Sequence, residues 1–184
     1  MSADTTVNVD AAAVEERPVA PARRACLVML GGRPFAVNVT DAREVVVLDV
    51  TTPVPGAPAS LVGVMNLRGT VLPVVEARPL LGLPVCPPVG RARALVLADA
   101  DQRAAILIER VLGLTVFDNV TPASDAPAPH VLGELFDESG ERATMLDAAA
   151  LLQTVRHAWD PAANDSRAVP PAPGSVAPAR PPGA

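Results

Sequence analysis

Apolar positions along this chain recur mostly every second residue, the spacing of a strand with one buried face, rather than every third or fourth. Ala25-Cys26-Leu27-Val28-Met29-Leu30 is a β-rich run that ends at Gly31-Gly32, a dipeptide suited to a tight hairpin. Phe35, Val37 and Val39 follow on one face of a second strand. Asp41-Ala42-Arg43-Glu44 has the spacing of a capping box and predicts one turn of helix. Residues 45–50 return to strand, and three prolines between Pro53 and Pro58 enforce an irregular loop. Residues 61–65 and 70–75 predict two more strands, joined by the polar corner Asn66-Leu67-Arg68-Gly69. Pro73 implies an edge or bulged position in the second of these.

The pattern then repeats. Leu27-Val28-Met29 is answered by Leu95-Val96-Leu97, and Val37-Asn38-Val39 by Ile106-Leu107-Ile108. Asp49 and Pro53 return as Asp118 and Pro122, Gly63 as Gly133, Val74-Val75-Glu76 as Met145-Leu146-Asp147, and Leu80-Leu81 as Leu151-Leu152. Ordered landmarks at one spacing signal an internal duplication. Each copy holds about five short strands separated by turn residues, which predicts a small barrel. The expected architecture is mainly β: two five-stranded barrels, the first about residues 24–92 and the second about 93–159, with short helices.

Composition narrows this picture. Of 21 prolines, many fall in the Pro/Ala-rich segment 160–184, which holds too little large apolar surface to offset ordering entropy. Residues 1–23 are similarly poor in periodic hydrophobicity. Both are expected to be disordered tails around a folded unit of residues 24–159. The start of the chain is polar and acidic, unlike a secretory signal, and no apolar run is long enough for a membrane span. Cys26 and Cys86 belong to no CxxC pair and predict two reduced thiols.

Charge and side-chain chemistry exclude other classes. The net charge is −5 and all basic residues are Arg, so no concentrated basic stripe exists to neutralise phosphates. With aromatics at 2% there is no stacking platform for bases. Nucleic acid is therefore not an expected partner. Neither His130, in a Pro-rich loop, nor His157, in an expected closing helix, has a companion nucleophile, so a solvated or capping role is expected of both. No phosphate-cradling, metalloprotease or nucleophile-elbow motif occurs. Asp99 and Asp101 lack the other ligand positions of a calcium loop, and Asp137-Glu138-Ser139-Gly140-Glu141 reads as a solvated turn. Catalysis, metals and cofactors are not expected. The residue group that stands out is the corner itself, where Asn66 and Arg68 interrupt a long apolar stretch. It is either a bare hairpin turn or a device that presents Arg68, held by a carboxylate, to a partner.

The stretch Gly63-Val64-Met65-Asn66-Leu67-Arg68-Gly69-Thr70-Val71-Leu72-Pro73-Val74-Val75-Glu76 resembles the G-x-x-N-L-R-G-x-x-x-P-x-x-D signature of CheW-like domains, the adaptor modules of bacterial chemotaxis and related signalling arrays. The resemblance extends over about residues 24–155. It implies two intertwined SH3-like five-stranded barrels, no catalytic activity and no cofactor. It also implies docking to the regulatory domain of the histidine kinase CheA and to the cytoplasmic tip of chemoreceptors. By position, Arg68 and Glu44 would form a charged pair at the receptor-facing side of the groove between the barrels. Asn66, Gly69 and Pro73 would shape that corner, Gly63, Leu67 and Glu76 are motif positions, and Val111 would be a groove residue from the second barrel. The chain departs from the family pattern at Glu76-Ala77, at Ile108-Glu109, at Gly113, where an acid is common, and in the all-apolar Val45-Val46-Val47. The resemblance implies a cytoplasmic protein recruited to membrane-associated receptor arrays, with no membrane insertion of its own. The departures leave open a divergent regulator that binds one partner only or serves a motility or developmental system.

Overall fold

The computed structural model describes residues 23–85, 90–122, 129–137 and 139–159, the last residue, Trp159, by its main chain. Cys86 and the segments assigned to the tails, Arg23 apart, lie outside the described residues.

The described chain runs β1 (Arg23–Leu30), β2 (Arg33–Asn38), β3 (Ala42–Val47), β4 (Leu61–Leu67), β5 (Thr70–Val75), a single 3-10 turn (Pro79–Leu81), β6 (Arg93–Asp99), β7 (Gln102–Ile108), β8 (Arg110–Phe117), β9 (Val131–Phe136), β10 (Arg142–Leu146) and one helix, α1 (Ala148–Trp159). The strands form two five-stranded sheets of order β8-β1-β2-β10-β9 and β3-β6-β7-β5-β4. The fold is mainly β, as the pattern predicts. Each sheet combines strands from both copies of the duplication, so the division at residue 92 separates the sequence repeats but not the sheets. The chain crosses between sheets twice, through residues 39–41 and through Glu109.

The same strand roles recur in both sheets. Leu30 pairs with Arg33 around the first hairpin turn and Asp99 with Gln102 around its equivalent. This register aligns Cys26-Leu27-Val28, rather than Leu27-Val28-Met29, with Leu95-Val96-Leu97. A one-residue slip in a strand exchanges its two faces, and burial confirms the structural register. Ala25, Leu27 and Ala36 pack into a small cluster inside the first sheet, as Ala94, Val96 and Ala105 do inside the second. Cys26, Val28, Phe35 and Val37 point the other way, with Leu95, Leu97, Ala104 and Ile106, into a central core between the sheets. β1 and β6 are thus apolar without alternation because both of their faces are buried. α1 closes that core with Ala148, Leu151, Leu152 and Val155, the i, i+3, i+4, i+7 stripe of an amphipathic helix.

One local expectation is corrected, and a second, the edge position of Pro73, holds locally though not for the strand as a whole. Residues 42–47 are strand throughout, with no helical turn at 41–44. The apolar positions of β3 and its ladder to β6 outweigh the capping-box spacing. Pro73 lies in β5, which is an interior strand between β7 and β4. It is tolerated there because the parallel ladder to β7 takes up only Val74 and Val75, beyond the proline.

Candidate functional site

The corner is built by the β4–β5 hairpin. Leu67 pairs with Thr70, which leaves Arg68-Gly69 as a two-residue loop with φ of 50° and 87°. Gly69 adopts such values freely, whereas Arg68 does so at a steric cost. Asn66 fixes the turn, its Oδ1 accepting the Gly69 N–H at 2.8 Å. Asn66 thereby sets the direction in which Arg68 leaves the hairpin. The Arg68 guanidinium meets Glu44 as a fork, Nη1 to Oε1 at 3.0 Å and Nη2 to Oε2 at 2.8 Å. Glu44 reaches it from β3, immediately after a bulge in the β3–β6 ladder at Arg43. The Arg68 side chain is 78% exposed and that of Glu44 31%, so the pair stands at the surface.

β3 and β4 are the two edges of their sheet, and they face each other across an open seam. At one end the segment after β3 is tied to β4 by reciprocal main-chain bonds between Thr52 and Val64, both 2.8 Å. At the other end stands the Glu44–Arg68 fork. Between them lies a cleft of about 540 Å³ whose walls include Val45, Val46, Val47, Val50, Val64 and Met65. Asp49 and Asn66 lie on its polar margin. A second cleft of about 280 Å³ adjoins it, and Glu44, Leu67 and Arg68 line both. Gly63, with φ of 155°, allows the close crossing of the Thr52 strand, since a Cβ there would collide with the Thr52 carbonyl oxygen.

The remaining sequence candidates sit elsewhere. Pro73 pairs opposite Val64, behind the corner. Val111 lies on β8 opposite Val28, in the other sheet, is 41% exposed and lines neither cleft. The structure therefore brings together Glu44, Asn66, Leu67 and Arg68 but does not add Val111 to them. Glu76, just past the end of β5 remote from the corner, is buried in an ion pair that sequence reasoning missed. Its carboxylate takes the Arg78 main-chain N–H at 3.0 Å, the Arg78 Nε–H at 2.8 Å and an Nη2 contact. Arg78 Nη1 lies 3.7 Å from Glu109, whose carboxylate in turn accepts the Gly32 N–H at 3.2–3.3 Å. Arg78 was detectable in principle as an arginine two residues beyond a motif acid, but spacing alone does not reveal its burial.

His130 also departs from expectation. It is 5% exposed rather than solvated, and its Nδ1 has no hydrogen-bond partner among the described residues. Burial lowers its pKa, while the Asp147 carboxylate acts weakly in the opposite direction. His157 lies exposed in the last turn of α1. The Cys26 thiol is free and buried, and desolvation raises its pKa, which makes it a poor nucleophile. Asp137 accepts bonds from Ser139 and from the Glu141 N–H, closing the solvated turn that the sequence predicts. Among the described residues no group of His, Cys, Asp and Glu is arranged to hold a metal ion. Among them, too, no helix is long and apolar enough to cross a membrane.

Residues 24–156 match the family model of the CheW-like domain. The chain belongs to the CheW-like family. The CheW-like chain is 36% identical over 98 residues to "Chemotaxis protein CheW" of Rhizobium meliloti, covering 52% of this chain and 63% of that protein. It is 33% identical over 133 residues to "Protein FrzA" of Myxococcus xanthus, covering 69% and 83%, and 30% identical over 98 residues to "Protein PilI" of Pseudomonas aeruginosa, covering 53% and 55%. The matched region thus spans a little under two thirds of the rhizobial relative. The CheW-like fold is shared with a crystal structure of scaffolding protein TtCheW from Thermoanaerobacter tengcongensis, at a TM-score of 0.63 and 18% identity, over 68% of this chain and 88% of that one.

Proposed function

We propose that this CheW-like chain is a non-catalytic adaptor of a bacterial chemotaxis or chemotaxis-like array, joining chemoreceptors to the histidine kinase CheA. The observation that carries the reading is the Glu44–Arg68 fork, held by Asn66 on a rigid hairpin beside an apolar cleft between two sheet edges. A cleft with apolar walls and a charged margin suits an amphipathic helix, its apolar stripe entering between the edges and a polar side chain meeting the exposed guanidinium. The partner assigned to this cleft is the helical cytoplasmic tip of a chemoreceptor. The regulatory domain of CheA is assigned to a separate surface, so that one small protein raises the concentration of kinase at the receptor. Such an adaptor acts at the cytoplasmic face of the membrane without entering it.

Arg68→Ala tests the site. The pair is exposed, and exposed ion pairs contribute only about 0.2–1 kcal/mol, so the variant keeps its fold. Capture of a receptor cytoplasmic hairpin should fall at least about tenfold, as expected for loss of a central charged anchor. Unchanged capture would remove Arg68 from the site. A second reading, a divergent regulator of another signalling system, is favoured by the wider coverage of the match to FrzA than to the rhizobial CheW. Kinase stimulation reconstituted with receptor, CheA and this chain separates the two, because a regulator that binds one partner does not stimulate.

A further inference from the structure

The smaller cleft beside the corner differs in character from the larger one. Arg43, Arg68 and Arg103 stand around it with Glu44 and the Thr70 hydroxyl, over an apolar floor of Leu72 and Val96. Both oxygens of Glu44 are engaged by Arg68. Arg43 and Arg103 have no ion-pair partner among the described residues. Three guanidiniums and one carboxylate therefore leave a local excess of two positive charges in a chain whose net charge is −5.

We infer that this cleft is a seat for a single carboxylate, an aspartate or glutamate side chain on the docking partner; this rests on the adaptor reading for the partner's identity but not for the anion. Arginines present planar donor pairs that match a carboxylate, and the buried apolar floor lowers the local dielectric and strengthens the attraction. The apolar cleft shares the Glu44–Arg68 wall with the basic one, so a helix lying in the first can extend an acid into the second from about one turn, 5.4 Å, away. The volume and the two unpaired guanidiniums suit one side chain, and the absence of a basic stripe argues against a polyanion. The Glu44–Arg68 pair then acts as a divider that sets the spacing between an apolar anchor and an acidic one.

The test uses the full chain labelled with 15N and titrated with N-acetyl-glutamate amide, N-acetyl-glutamine amide and inorganic phosphate. The glutamate compound should shift the Arg43 and Arg103 Nε–H resonances saturably, the uncharged glutamine compound should not, and the double variant Arg43→Gln/Arg103→Gln should abolish the response while keeping spectral dispersion. A response equal in the double variant, or none in the native chain, overturns the seat. Phosphate binding more tightly than the carboxylate assigns the cleft to a free ion and overturns the side-chain assignment. In a second arm the double variant should bind a receptor cytoplasmic hairpin about five- to tenfold more weakly, with a reduced dependence on salt. Unchanged hairpin binding overturns the seat's role in docking and leaves the adaptor reading intact, whereas a hairpin that fails to bind even the native chain overturns the adaptor reading and leaves the titration to decide the seat.

Discussion

Gly63 and Gly133 occupy equivalent positions in the two copies, with φ of 155° and 148°, and in each a Cβ would collide with the carbonyl of a crossing strand, Thr52 in one and Thr121 in the other. The methyl of Thr51 lies 2.8 Å from the Gly63 Cβ position, so relief in either direction is blocked. Gly63→Ala should cost about 2–4 kcal/mol, the scale of strain combined with overpacking, read as a lower urea midpoint. A loss below about 1 kcal/mol would show that the Thr52 crossing can move away. The sequence showed that a glycine recurs, but not the carbonyl that approaches it from eleven residues away. The same limit hid Arg78, whose burial is created by packing against Glu76 and Glu109. It also hid that Arg43 and Arg103 have no ion-pair partner among the described residues; in sequence they are ordinary surface arginines. The corner itself was legible because its turn is local: Asn66 and Gly69 act within four residues.

At the scale of elements, agreement follows the strength of the local signal. The first hairpin was legible from Gly31-Gly32, and the closing helix expected around His157 is α1. β3 was misread because Asp41 and Glu44 mimic a capped helix, and only the pairing to β6, fifty residues on, decides between them. At the junction of β9 and α1, the His130 carbonyl accepts the Asp147 N–H at 2.9 Å, and Asp147 caps α1 by accepting the Ala150 N–H at 2.9 Å. The buried imidazole here has a pKa below its ordinary 6.5, so the unfolded chain binds the proton more readily than the folded one. The associated stability is complete above the ordinary value and is lost as pH falls through the folded pKa. Urea midpoints taken from pH 7.5 to 5 should therefore fall more steeply for the native chain than for His130→Gln. Parallel profiles for the two proteins would remove His130 as the cause.

Over the whole molecule, the exchange of strands makes each repeat incomplete. In residues 24–92 alone, the β1–β2 hairpin would lack β8 and β10, and β3 would lack β6. That fragment should show no cooperative unfolding transition, and mixing it with residues 93–159 should restore one. A cooperative transition in the isolated fragment would mean that the copies can fold independently. The duplication was legible from its landmarks, whereas the exchange was not, because sequence similarity shows which strands are alike and not which are neighbours.

The two crossings also set how such a protein can carry a signal. At Glu109, where the chain passes from one sheet to the other, the main-chain N–H bonds to the Met29 carbonyl at 3.0 Å while the carboxylate holds the Gly32 turn and faces Arg78. The sheets are thus joined through a shared core and tied at this crossing. With a receptor docked at the corner, as proposed, a displacement there would reach the opposite sheet through that shared core. On the adaptor reading the body would serve as a spacer between its partners, passing on where one stands more readily than how it is folded.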